Sequence, residues 1–368
     1  MPKNYRVAII GSTGRGDYGH GHDIAWKSVP GVEIVALADD DEKGRAAAVE
    51  RTGAKTAYAD YRAMLDKEKP AIVSICQRWI DRHHEMAMMC VERGIHVFME
   101  KPFCRNLTEA DEIVRTCEMT HAKLALAHQT RYCPIIATVK RMIDEGKLGT
   151  VLEMRARGKE DQRGGSEDLW VLGSHLMNLM PVFAGAPASC FATVTSKGKA
   201  ITKKDVVEGN EGLGPLAGDA VDARFQFSNG ITGYFGSHRA QEGNPSRFGL
   251  QIFGSKGVVE YLTGYLPPVY FLPDHAWSPA RSGAKWQKVT SVGVGIAEPD
   301  KAGGIPNGNI AAINDLIAAI EENRQPLCSV YEARATIEMI MGIFESQRLG
   351  KPVALPLENR QHPLSMLA

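Results

Sequence analysis

Gly11-Ser12-Thr13-Gly14-Arg15-Gly16 begins where the apolar run Val7–Ile10 stops. A strand that ends in glycine and reopens as a helix presents free backbone N–H groups and a positive helix end, which suits an anion such as a pyrophosphate. Glycine lets the backbone approach closely and take positive φ. The dinucleotide pattern G-x-G-x-x-G is met at Gly11 and Gly16, with Thr13 in the middle position. A full match at Gly14, Gly16 and Gly19 begins too far from the strand end. Asp39 closes the next apolar run, Val32–Ala38. A carboxylate there accepts both hydroxyls of an adenosine ribose and repels a 2′-phosphate, which favours NAD over NADP. The competing reading makes Asp39 a surface acid at a helix start.

These residues need a frame. Tyr5–Ile10, Val32–Ala38, Ala71–Cys76, Ile95–Met99 and Lys123–Ala127 read as short strands, and helical stretches separate them. Asp41–Arg51 is one helix; Asp81 caps another that stops near Gly94; Thr108–Asp111 resembles a capping box. Such alternation predicts a doubly wound parallel sheet of the Rossmann kind, an α/β domain over 1–128. From residue 150 the apolar segments read as strands, with Asn229-Gly230 as a hairpin turn and one helix over 166–185. An α+β domain with a large, open, mostly antiparallel sheet is expected over 129–308. Helices over 309–368 are expected to pack back toward the first domain.

Composition narrows the function classes. Lys+Arg and Asp+Glu balance at 43 each, so nothing electrostatic points to nucleic acid or an anionic membrane. The seven cysteines are scattered without a C-x-x-C pair, which predicts reduced, buried thiols and a cytoplasmic protein. No apolar run has membrane length, and His20, His22, His83 and His84 do not form a metal set.

His96–Asp111, "HVFMEKPFCRNLTEAD", resembles the glucose-fructose oxidoreductase / inositol dehydrogenase / rhizopine-catabolism (Gfo/Idh/MocA) family. The glycine loop, Asp39, "RHHEMAMMCVERGIHV", "QTRYCPIIATVKRMIDEGKLG" and "GSHLMN" follow the family order across essentially the whole chain. The resemblance implies a nicotinamide cofactor, a sugar, polyol or glycoside substrate, and a homodimer or homotetramer formed through the second domain's sheet. It places Lys101 of Glu100-Lys101-Pro102 beside nicotinamide and substrate, and His175 as the active-site histidine. Oxidation of a secondary alcohol needs a proton acceptor while hydride leaves the same carbon. Histidine titrates in the right range, and a lysine can stabilise a developing alkoxide. The other reading of Lys101 is an exposed lysine after a strand, and that of His175 a half-buried helix histidine.

Further contacts follow from the resemblance. Arg131 and Tyr132 match an Arg-aromatic pair near cofactor and substrate, with Gln129 ahead of them, and His84 matches a helix-start histidine at the cofactor edge. Departures are equally specific. Val171 stands where relatives often carry an aspartate one turn before the histidine; Asp168 lies seven residues before His175, and Asn178 three after. Gln77-Arg78-Trp79 replaces a Pro-Asn turn. There Arg78 can pair with a carboxylate or phosphate and Trp79 can stack on a ribose or sugar, or both can simply pack. Trp170 is a sugar platform or core. The loop over 198–219 is a lid or an oligomer contact. The chemistry expected is hydride transfer between NAD and a secondary hydroxyl. The alternatives are a glycoside lyase or hydrolase using transient NAD redox, or a non-catalytic nucleotide-binding regulator.

Overall fold

The computed structural model describes residues 4–368. They fall into two compact units: the chain up to Tyr132 with Asn210–Gly214 and Ile305–Ile337, and Cys133–Gly209 with Pro215–Gly304 and Glu338–Ala368. This partition differs from the boundaries drawn on sequence, since 305–337 joins the first unit and 338–368 the second.

The first unit is built on six strands: β1 (Tyr5–Ile10), β2 (Val32–Ala38), β3 (Thr56–Tyr58), β4 (Ile72–Ile75), β5 (His96–Met99) and β6 (Leu124–Leu126). They are ordered β3-β2-β1-β4-β5-β6, and every pairing is parallel. Both faces of the sheet are covered, so Val7, Ala8 and Ile9 in β1 and Ile72, Val73 and Ile75 in β4 are all wholly buried. The strand order reverses between β1 and β4, and ligands bind at the carboxyl ends of strands at such a point.

The helices depart from expectation at their starts. Helix α1 (His22–Ala25) has only four residues, so the glycine loop has no long helix behind it. Five residues of the loop take positive φ instead: Gly14, Gly16, Asp17, Gly19 and Gly21. Helix α2 (Glu42–Thr52) is capped by Asp41, whose carboxylate accepts from Gly44 N–H. After α3 (Tyr61–Glu68), a 3₁₀ turn at Ile80–Arg82 leads into α4 (His83–Val91), so Asp81 does not cap it. Asn106, not Thr108, caps α5 (Leu107–Thr120) by accepting from Glu109 N–H.

The second unit carries an eleven-stranded sheet in which only Val151–Arg157 and Thr232–His238 pair in parallel. Asn229-Gly230 turns the hairpin between Ala220–Phe227 and Thr232–His238, with Gly230 at φ 86°. Strand Pro187–Ser196 alternates buried Cys190, Ala192 and Val194 with exposed Phe191 and Thr193. In strand Gly257–Leu262, Tyr261 meets Phe183 of helix Ser174–Ala184 with rings 6.3 Å apart. The expected single helix over 166–185 is interrupted: a π segment, Leu169–Gly173, precedes Ser174–Ala184.

Candidate active site

The carboxyl ends of β1, β4 and β5 bring three segments together: the glycine loop, Gln77–Trp79 and Glu100–Lys101. Loop and β4 turn interlock. The Arg15 guanidinium stacks on the Trp79 ring at 5.2 Å and pairs with Asp81. Gln77 Nε2 donates to Trp79 O at 2.6 Å and to Asp81 Oδ1 at 3.2 Å. Gly16 has φ 83°, and a Cβ on it would stand 2.5 Å from Arg78 Cβ. Arg78 pairs at 3.0 Å with Glu211, so Asn210–Gly214, the part of the 198–219 loop that belongs to this unit, seats on the β4 turn.

Asp39 is buried at the end of β2. It accepts from Thr13 N–H and Thr13 Oγ1 and from Asp41 N–H. Thr13, in the middle glycine's place, thus ties the loop to the acid. Beside it a cavity of about 190 Å³ is lined by Gly11, Asp39, Asp40, Tyr61, Arg62 and Arg82. Ser12 Oγ, Gln77 Oε1 and Arg78 Nε are buried and lack a hydrogen-bond partner. Three orphaned polar atoms at one rim are uncommon in a native fold and mark a place for a polar ligand. A cavity beside a carboxylate, together with these groups, fits an adenine dinucleotide.

Lys101 is buried at the turn after β5, and its bond to Pro102 is cis. Its N–H donates to its neighbour's carboxylate, Glu100 Oε1, at 3.1 Å. Glu100 is wholly buried; burial raises its pKa, but His22 and His20 more than offset this and hold it well below the usual carboxylate range. His128, just past β6, is wholly buried; burial first, then the Lys101 charge, pushes its pKa down to about 3. His83 joins two strand-end turns, with Nδ1 2.7 Å from Pro102 O and Nε2 2.7 Å from Gln77 O. Sequence reasoning assigned no role to His22, His83 or His128. The signal available was their place: each lies in a segment that follows the carboxyl end of a strand, β1, β4 or β6.

Other candidates lie apart from this group. His84 meets Glu112 on α5 at 2.8 Å, a helix–helix tie on the flank of the sheet. Gln129 Nε2 donates to Asn309 Oδ1 at 3.0 Å. Arg131 Nε donates to Leu327 O, and the buried Tyr132 hydroxyl to Leu126 O. These bonds lash the end of β6 to the 305–337 segment, so the Tyr132 hydroxyl is spent within the unit.

In the second unit His175 is half-buried, its ring edge-on to Phe248 at 6.5 Å, and Asn178 is buried on the same helix. Asp168 accepts from Ser237 Oγ at 2.5 Å and Glu160 N–H at 3.1 Å, and burial raises its pKa. Val171 is buried within the π segment. Trp170 is a correction: it is wholly buried and stacks against His362 at 6.5 Å, so its ring is core and no sugar platform. Among the described residues no cluster of three or more His, Cys, Asp or Glu has the arrangement of a metal site.

Two family models match the chain: an oxidoreductase family with an NAD-binding Rossmann fold over residues 5–128, and the GFO/IDH/MocA C-terminal domain over 136–260. The chain belongs to the GFO/IDH/MocA oxidoreductase family, and its first domain is of the NAD-binding Rossmann type. It is similar to D-apiose dehydrogenase of Paraburkholderia graminis, at 31% identity over 148 residues, 40% of this chain and 38% of that protein. It is 23% identical over 291 residues to levoglucosan dehydrogenase of Pseudarthrobacter phenanthrenivorans, covering 70% of this chain and 74% of that one. A solved levoglucosan dehydrogenase in complex with NADH has the same fold, with TM-score 0.77 at 20% identity over 96% of this chain and 100% of that chain. The chain thus spans under two-fifths of the apiose enzyme and about three-quarters of the levoglucosan enzyme.

Proposed function

We propose that this protein is an NAD-dependent dehydrogenase acting on a secondary hydroxyl of a sugar, cyclitol or glycoside. The observation that carries this is the buried Lys101 at the carboxyl end of β5, on the same rim as the orphaned Ser12, Gln77 and Arg78 atoms. The dehydrogenase relatives named above support the sugar class.

Asp39 would hold the adenosine ribose, with Gly11, Ser12, Thr13, Gly14, Arg15 and Gly16 along the pyrophosphate and Gln77, Arg78 and Trp79 flanking it. A bound nicotinamide supplies the hydride acceptor. Lys101 donates a hydrogen bond to the substrate oxygen and stabilises negative charge developing there. His175 takes the hydroxyl proton, with Asn178 beside it as a neutral hydrogen-bonding group. Glu100 and Gln129 serve by orienting the segments around them.

A homo-oligomer formed through the open face of the large sheet is part of the same proposal. That face exposes Phe191, Tyr234 and Tyr270. Phe191 and Tyr234 line a cavity of about 730 Å³ on it, and light scattering reads the assembly directly. Cytoplasmic residence is proposed from seven cysteines that are all free and buried; no helix of the described residues is long and apolar enough to cross a membrane.

The test is a panel of sugars, cyclitols and glycosides with NAD, followed by the absorbance of reduced nicotinamide. Net reduction with at least one member is expected. Glycoside turnover without net reduction would instead identify a lyase or hydrolase, and NAD binding with no turnover on a broad panel a regulator.

A further inference from the structure

We infer that His22 and His20 are positioning residues for Lys101, acting through the Glu100 carboxylate; the inference rests on the proposed role of Lys101. One carboxylate spans two segments. Its Oε2 lies 3.3 Å from His20 N, 3.0 Å from His20 Nδ1 and 3.0 Å from His22 Nε2. Its Oε1 accepts from Lys101 N–H. The glycine loop and the lysine turn are therefore joined through one acid.

The arrangement is built for this. The side chains of Glu100 and His22 are both wholly inaccessible. A carboxylate at that depth is costly unless it is paired and hydrogen-bonded. His22 is stacked on Phe98, with ring centroids 4.7 Å apart and planes at 23°, and Trp26 meets the same ring edge-on. Phe98 lies in β5, two residues before Glu100, so the imidazole docks on the strand that delivers the lysine. Gly19 takes φ +60°, and a Cβ there would stand 2.6 Å from Cys76 O and 2.7 Å from Glu100 Oε2. Asn309 completes the chain: its Nδ2 donates to His20 O while its Oδ1 accepts from Gln129 Nε2. The run Gly19-His20-Gly21-His22, which fits no metal site, is thereby explained.

A buried ionic group is not needed to hold a loop, because apolar packing does this as well or better. What it adds is direction, and this carboxylate is directed at the two segments that the proposed chemistry uses.

The test uses the full chain, with NADH and with its lysines reductively methylated by ¹³C-formaldehyde. The Lys101 resonance is assigned by its loss in Lys101→Arg. His22→Phe keeps the ring stack and removes the nitrogen that faces Glu100; His22→Gln restores a polar group there. Loss of the His22–Glu100 contact loosens the glycine loop and predicts about tenfold weaker NADH binding in His22→Phe, with a shifted Lys101 resonance and recovery of most of both in His22→Gln. A folded His22→Phe protein with wild-type NADH affinity and an unmoved resonance overturns the inference. If His22→Phe does not fold, His20→Ala, at a partly exposed site, is read by the same two measurements. Wild-type protein that binds no NADH sinks the proposed function, while the resonance comparison still decides the role of His22.

Discussion

Thr13 Oγ1 donates to Asp39 Oδ2 at 2.7 Å, so the residue that replaces the middle glycine of the fingerprint grips the acid proposed to read the ribose. Asp39→Asn keeps the shape but removes the charge and one acceptor, leaving loop N–H groups facing an amide. Hydrogen bonds to charged groups contribute about 1.5–3 kcal/mol. NADH affinity is expected to fall at least tenfold, with a smaller loss for NADPH and a lower melting temperature. Paired fluorescence titrations and thermal melts check this; unchanged NADH affinity would remove Asp39 from the site.

Gly19 and Gly14 separate two costs. Both take positive φ, 60° and 79°, but only Gly19 lacks room for a Cβ, since Gly14 has nothing within 4 Å. Gly14→Ala is expected to cost about 1–2 kcal/mol, the left-handed backbone penalty alone. Gly19→Ala adds a clash with Cys76 O and Glu100, and its loss of stability should be clearly larger. Denaturant midpoints for the two variants make the comparison, and equal losses would mean that the loop yields freely at Gly19.

His128 sets an acid limit. Burial, then Lys101 and Arg131 against the opposing pull of Glu100, lowers its pKa to about 3. His362 falls to about 4, and His83 is also lowered, both through burial. An unfolded histidine takes its proton near pH 6.5. Between that value and the depressed folded values the unfolded chain binds more protons, so stability falls as pH falls. The melting temperature is expected to drop between pH 6.5 and 5, above the range where carboxylates titrate. His128→Gln should flatten that slope; an unaltered slope would show that His128 protonates freely in the folded state.

Much of this was legible in the sequence. Buried parallel strands announce themselves as apolar runs, and the glycine loop and the Glu100-Lys101-Pro102 turn sit at strand ends where chemistry collects. Fine structure was less accessible. Helix α1 shrank to one turn because glycines at 14, 16, 19 and 21 take positive φ, which spacing alone does not reveal. Asn106 took the cap assigned to Thr108, since either side chain suits that role. Trp170 was ambiguous because an indole packs a core as readily as it faces a sugar. His22 and His83 were opaque for a different reason: their partners Glu100 and Pro102 are distant in sequence and meet them only through the strand order.

The most direct test of the central claim is Lys101→Met, assayed with NAD and the best substrate of the panel, with NADH affinity measured in parallel. Loss of the group that stabilises charge on the reacting oxygen predicts a fall in kcat of about 10²–10³-fold. NADH affinity should stay within about threefold, since the amine is assigned to the substrate. A variant that keeps wild-type kcat, or that loses NADH binding and turnover together, would contradict the account.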